Sequence, residues 1–416
     1  MVSLQTIQRV LSRGYIGRHS EGVRLNEVSD QKDASPLRQR LRCMADGIFV
    51  ELRLISHGGD RGKLCAETVA SVVLAVYLAD IFNLKERWWV ALSAYVLVRA
   101  RPSVVFQRCL ERLTGTVIGA IGGALLAALV FHHAWLTILV LALVSGLGIY
   151  WMLGSPYAYS WVLGTVTALM VLSDSVSIAS PTNLAINRIL DVAVGILATA
   201  TISAMSLCVE RLLRSDGSSV SASLPEACGA RETHAPPILG HSRSTRISQA
   251  MQGSITIALI GVVNHFHALP NFAQSMVSVI AVLLVPLSVL VHGQVTEAVH
   301  LRLLNRLLGC LCAALLAAPL LPLIGKSPLL WLAVLGAGVW LAAHIQAGAA
   351  EVSYIGTQFG VGFIMIFVQD HAWSTDASAA LQRLMGIVVA LFVLAATMAA
   401  FSAASRKMSL YRRRDV

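Results

Sequence analysis

The sequence predicts an all-α membrane protein of twelve transmembrane helices, built as two six-helix halves in parallel relation. Composition is the first reason. Of 416 residues, 56% are hydrophobic and 13% charged, with a mean hydropathy of +0.70, and a soluble chain of this length cannot hide so much apolar surface. The second reason is that apolar windows close to the roughly 20 residues that cross a bilayer recur twelve times. The third is that markers in the first six windows return about 195 residues later. The same figures exclude disorder, a coiled coil and a secreted disulfide scaffold. Lys and Arg outnumber Asp and Glu by 32 to 22. In a soluble protein that excess would suggest nucleic acid; in a bilayer the placement of the charges decides, and no nucleic-acid partner is expected.

Residues 1–63 form a polar N-terminal arm with eleven Lys/Arg and seven Asp/Glu and no spanning run. Arg9, Arg13 and Arg18 precede any acid, as in a targeting presequence, but no apolar stretch follows, so the arm is read as cytosolic. The first half, 64–209, holds windows at 64–82, 88–98, 113–131, 135–153, 156–173 and 186–209, the second of them short. Residues 210–247 are rich in Ser, Pro and Gly and read as a flexible cytosolic linker. The second half, 248–404, holds windows at 248–268, 272–291, 303–324, 329–347, 352–369 and 381–404, followed by a basic cytosolic tail, 405–416.

Twelve spans put both termini and the linker on one side. Of the 32 basic residues, 27 fall on that side and 5 on the other, namely Lys85, Arg87, Arg188, Lys326 and Arg383. The termini are therefore expected inside. The seven cysteines fall in or near the inner face, so no disulfide is expected. Trp88, Trp89, Trp135, Trp331 and Trp373 are expected at the outer interface as belt residues.

The repeat is the most specific signal. Arg112-Leu113-Thr114-Gly115 opens the third window and Arg306-Leu307-Leu308-Gly309 the ninth, and Arg188 and Arg383 open the sixth and twelfth. Trp135 pairs with Trp331 and Tyr159 with Tyr354 at spacings that agree with these within two residues. Two halves related by an axis along the membrane normal explain this. Gly115, Asp191, Gly309 and Gly386 each follow one of the four arginines by three residues, which suggests a three-plus-three inverted arrangement within each half.

An arginine near a helix N-terminus opposes the helix dipole. One explanation is an anion held by guanidinium forks and first-turn N–H groups, which suits a carboxylate. The other is that the arginines snorkel to lipid phosphate, fix topology, or pair with an acid such as Glu111 or Asp191. Substrate-binding candidates are thus Arg112, Arg188, Arg306 and Arg383, with Tyr159, Tyr354 and Gln358 on the fifth and eleventh helices as path-lining residues. Asp191 is the candidate proton-coupling carboxylate, or else a first-turn partner of Arg188. Glu67 and Asp80 read as interfacial. Gly115, Thr116, Gly119, Gly123 and Gly309 make small-residue stripes suited to close helix packing, and Pro286, Pro319 and Pro322 are candidate kink sites. Histidines on the outer face, His132, His133, His265, His267 and His371, have spacings that suit no single element, so neither a metal nor a cofactor is expected. No catalytic loop or motif is present in the sequence, which argues against an enzyme.

Trp88-Trp89 opening a short helix, Arg101-Pro102, and then Arg112-Leu113-Thr114-Gly115-Thr116 with Gly119 resemble the fusaric acid resistance and aromatic acid exporter family of bacterial inner membranes. The likeness covers 64–209 well and 248–404 more loosely, because no Gly-Thr pair follows Arg306. The resemblance implies a multi-pass inner-membrane secondary transporter exporting aromatic or other organic carboxylates, proton-coupled, with a periplasmic adaptor subunit as a partner. It carries over Arg112, Gly115, Thr116 and Gly119. Full-length members have a sizeable cytosolic domain after each block, where this chain has a short linker and a tail, so the adaptor expectation is weakened. The six-helix block also resembles plant malate channels. A passive organic-anion channel and a non-transport membrane assembly partner stand as alternatives, and a homo-oligomer is compatible with all three.

Overall fold

The structure, a computed structural model, describes residues 36–54, 59–98, 102–130, 133–175, 180–215, 243–284, 295–325, 327–369 and 378–414. Met1–Gly47 and Ile48–Val416 are two compact units. In the first, the described residues 36–47 are helical. Most of the linker, and with it Pro286, His132, His371 and Trp373, lies outside the described residues.

Thirteen helices occur among the described residues. They are α1 (Pro36–Arg53), α2 (Asp60–Ile81), α3 (Arg87–Leu97), α4 (Pro102–Val130), α5 (Ala134–Met152), α6 (Ala158–Asp174), α7 (Pro181–Ser215), α8 (Arg243–Phe266), α9 (Phe272–Leu283), α10 (Val295–Ile324), α11 (Pro328–Gln346), α12 (Ala350–Phe367) and α13 (Ser378–Arg414). Each of the twelve apolar windows coincides with one helix from α2 onward. A helix satisfies its own backbone polar groups, which a bilayer cannot do.

Nine of the described helices are long and apolar enough to cross a membrane. The exceptions are α1, which is too polar, and α3, α6 and α9, with 11, 17 and 12 residues. At 1.5 Å per residue, α3 and α9 reach only about 17 Å, little over half a hydrocarbon core. The short second window is α3, and α9 is about as short; hydropathy marks apolar segments without fixing which of them are full spans.

Enclosure is visible in their faces. Nearly every residue of α3 from Trp88 to Leu97 is buried, as is α6 from Val162 to Ser173. Most of α9 and of α12 is buried too. Such all-round burial identifies a helix that packs on every side. The longer helices carry the exposed apolar residues, such as Ile118, Leu125 and Leu129 on α4 and Leu315 and Leu323 on α10.

Helix pairings recur six helices along the chain. α2–α3, α2–α7, α3–α7, α4–α6, α4–α7 and α5–α6 have counterparts in α8–α9, α8–α13, α9–α13, α10–α12, α10–α13 and α11–α12. Contacts across the two sets are also reciprocal, α5–α8 with α11–α2 and α6–α9 with α12–α3. The turns agree as well: Asn83 before α3 and Asn271 before α9 are the non-glycine residues with positive φ among the described residues, at 49° and 53°. Asparagine tolerates this left-handed region better than other side chains.

The small-residue stripe of α4 sits on α6. A Cβ grafted onto Gly115 would overlap the Ser160 carbonyl, one on Gly119 the Gly164 carbonyl, and one on Gly123 would lie 2.9 Å from the Ala168 oxygen. On α10, a Cβ at Gly309 would lie 2.7 Å from the Gln358 Cβ and from the Ile355 oxygen of α12. Pro319 and Pro322 lie inside α10, which continues to Ile324.

Candidate anion-binding site

The helices begin earlier than the apolar windows, and this relocates the four arginines. α4 starts at Pro102, α7 at Pro181, α10 at Val295 and α13 at Ser378. Arg112, Arg188, Arg306 and Arg383 therefore lie one to three turns inside their helices, where each peptide N–H is taken up by the helix itself. The expectation of anion binding by first-turn N–H groups is corrected. What remains is the guanidinium itself.

All four guanidinium side chains are buried. Arg112 donates through Nη1 to the Tyr159 hydroxyl of α6 at 3.0 Å and through Nη2 to Ser93 Oγ of α3 at 2.8 Å. Arg306 donates through Nη1 to Gln358 Oε1 of α12 at 2.6 Å and through Nη2 to Ser278 Oγ of α9 at 3.1 Å. Both serines are also anchored one turn back on their own helices, Ser93 to the Trp89 carbonyl and Ser278 to the Gln274 carbonyl. Thus the two half-length helices each offer a hydroxyl to an arginine of the neighbouring long helix.

A second pair of arginines lies one turn closer to the start of each long helix. The Arg108 guanidinium stacks 4.7 Å from the Tyr159 ring centre, and Arg302 stacks 4.4 Å from the Tyr354 ring centre. Tyr354 donates to the Ala281 carbonyl of α9 at 3.4 Å. Sequence reasoning placed Arg108 and Arg302 among the inner charges and missed this role, although their spacing equals that of Arg112 and Arg306.

Arg188 and Arg383 are handled differently. Arg188 forms ion pairs with Glu86, at the start of α3, and with Asp174, at the end of α6, and stacks 5.3 Å from the Trp89 ring centre. Arg383 donates to the Met365 carbonyl at 3.0 Å and stacks 5.0 Å from the Trp88 ring centre. Trp88 and Trp89 are buried and meet edge to face at 5.0 Å. Trp331 is buried against Phe367. These three are therefore not belt residues; of the four described tryptophans expected in the outer belt, Trp135 is the exposed one.

Asp191 is 1% exposed on α7, less than one turn beyond Arg188. Thr116 is buried on α4 beside the glycine stripe. Glu67 accepts from Ser206, and Asp80 pairs with Arg87.

Charge balance sets Arg112 and Arg306 apart from Arg188. Among the described residues no carboxylate pairs with Arg112 or Arg306, both 3% exposed, and the Nε of each is buried without a hydrogen-bond partner. A buried cation held by neutral groups alone carries a desolvation cost that an anion offsets. A carboxylate is the natural complement, since its two oxygens match the guanidinium fork.

No curated protein and no solved structure matches the chain. Residues 74–202, which contain Trp88, Trp89, Ser93, Arg112, Tyr159, Arg188 and Asp191, match the model of a family described as fusaric acid resistance protein-like, so this multi-pass, many-helix membrane chain is similar to that family over the segment that carries one complete arginine–serine pair.

Proposed function

We propose that the protein is a secondary transporter that exports aromatic or other organic carboxylates across the inner membrane. The observation that carries this reading is the pair of buried, uncompensated guanidiniums, Arg112 and Arg306, each tied to a half-length helix. Interrupted helices with polar groups at membrane depth are where transporters hold their cargo. The recurrence of helix pairings at six-helix intervals supports two parallel blocks that rock against each other. Both termini face the cytoplasm in this reading, on the charge bias of the loops. Asp191, a buried acid on α7 within one turn of Arg188, is the proton-exchanging carboxylate in this reading.

Vesicles reconstituted with the purified protein and loaded with benzoate test this. Uphill benzoate movement driven by a pH gradient, and lost when the gradient is dissipated, is the expected result. Flux that only runs downhill identifies a passive channel instead. No flux above protein-free vesicles would leave the assembly-partner reading standing.

A further inference from the structure

We propose that each six-helix block holds its own anion, so that one chain binds two carboxylates at inequivalent sites rather than one carboxylate shared between the blocks. This rests on the reading of Arg112 and Arg306 as carboxylate-binding residues. The Arg112 clamp is closed entirely by α3, α4 and α6, through Ser93 and Tyr159. The Arg306 clamp is closed entirely by α9, α10 and α12, through Ser278 and Gln358. A single anion shared on the axis between the blocks would draw both guanidiniums toward one point. Here each is drawn to a hydroxyl of its own block. Among the described residues, each also keeps one buried Nε–H without a hydrogen-bond partner and neither has a carboxylate to balance it, so the charge argument applies twice and not once.

The third member of each clamp makes the sites unequal. The Tyr159 hydroxyl accepts from Arg112 and retains its own proton, one donor for an oxyanion. Gln358 accepts from Arg306 through Oε1 and retains two amide N–H donors on a fully polar head. The Arg112 site thus presents a phenol with one extra donor, whereas in the second block Tyr354 turns its hydroxyl to the Ala281 carbonyl and Gln358 presents an amide with two. An aromatic carboxylate favours the first; a small hydrophilic one such as acetate favours the second.

Equilibrium dialysis of the full-length protein in detergent with radiolabelled benzoate, and separately acetate, decides the matter. The wild type should bind two equivalents of benzoate with distinct affinities. Arg112→Gln should retain only the weaker benzoate site, Arg306→Gln only the tighter one, and the double variant neither. Ser93→Ala and Ser278→Ala keep both guanidiniums and remove one hydroxyl each, so each should weaken one component about tenfold and leave the other unchanged. These milder variants keep the test valid where an arginine variant does not fold. One equivalent in the wild type, abolished by either arginine substitution and weakened by either serine substitution, would overturn the two-site proposal while sparing the carboxylate reading. Binding that is absent in the wild type, or unchanged in the folded double variant, would overturn both.

Discussion

Arg383 of α13 reaches Trp88 of α3, with its guanidinium 5.0 Å from the ring centre, while the adjacent Trp89 faces Arg188 of α7. Two arginines that share a position in the repeat therefore converge on consecutive tryptophans of one short helix. An indole face attracts a cation most strongly when both are withdrawn from water. Trp88→Ala should lower thermal stability in detergent by about 2–4 kcal/mol, combining a cavity with the lost cation–π contact. Trp88→Phe should recover most of it.

Arg188 is balanced by two carboxylates, and breaking its ion pairs is costly from one side only. Arg188→Leu takes the shared cation from the partly exposed carboxylates of Glu86 and Asp174 and should cost about 1–3 kcal/mol. Replacing all three with Leu, Gln and Asn removes the stranded charges and should recover more than half of that loss. Chemical-denaturation midpoints of the single and triple variants provide the comparison.

Gly119 and Gly122 lie three residues apart on α4 with opposite surroundings. A Cβ at Gly119 would overlap the Gly164 carbonyl, whereas one at Gly122 meets nothing within 4 Å. Gly119→Val should cost about 1–3 kcal/mol or more by forcing α4 from α6. Gly122→Ala should leave stability unchanged or raise it by up to about 1 kcal/mol, through helix propensity. Melting temperatures by fluorescence size exclusion separate the two.

On the end of α1, Glu51 accepts from Arg61 at 2.6 Å and from the Ala349 N–H at 2.7 Å, while Arg61 also donates to the His344 carbonyl. Burial alone would raise the Glu51 carboxyl, but the Ala349 N–H and the Arg61 guanidinium outweigh it and hold the group below its ordinary 4.5. A depressed folded value means the clasp contributes fully above the unfolded value and is lost as pH falls through the folded one. Wild type should exceed Glu51→Gln in stability by about 1–3 kcal/mol at pH 7. The two should converge as the pH is lowered below about 4. A gap that persists unchanged at pH 3 would show that the carboxylate charge is not what closes the clasp.

Asp191→Asn isolates coupling from binding. If Asp191 exchanges the proton, the variant should lose pH-driven benzoate accumulation by at least tenfold and retain benzoate–benzoate exchange, which needs no net proton movement. Loss of both activities in a folded variant would assign Asp191 to packing instead.

Part of the candidate site is visible in the chain and part is hidden. Arg112 and Arg306 precede Tyr159 and Tyr354 by spacings that agree within one residue, so the repeat exposes them. Their serine partners do not: Ser93 precedes Arg112 by 19 residues and Ser278 precedes Arg306 by 28. The longer connection between α9 and α10 shifts the register by nine residues, and a comparison at one fixed offset passes over the match. The arginines were expected at helix starts because an apolar window ends where charge begins. A helix is under no such constraint, and α4 runs ten residues ahead of Arg112.

By itself the amino-acid order determined that this chain lives among lipids, where its helices fall, and that its arginines come in repeated pairs, because transfer cost adds up residue by residue along the chain without regard to neighbours. Only the tertiary structure decided that α3 and α9 are enclosed by other helices, that Trp88, Trp89 and Trp331 face inward, and that Arg188 meets two carboxylates while Arg112 and Arg306 meet none among the described residues. Those outcomes depend on which helix stands beside which. An apolar residue is equally content against lipid or against protein, so hydropathy has no means to tell the two apart.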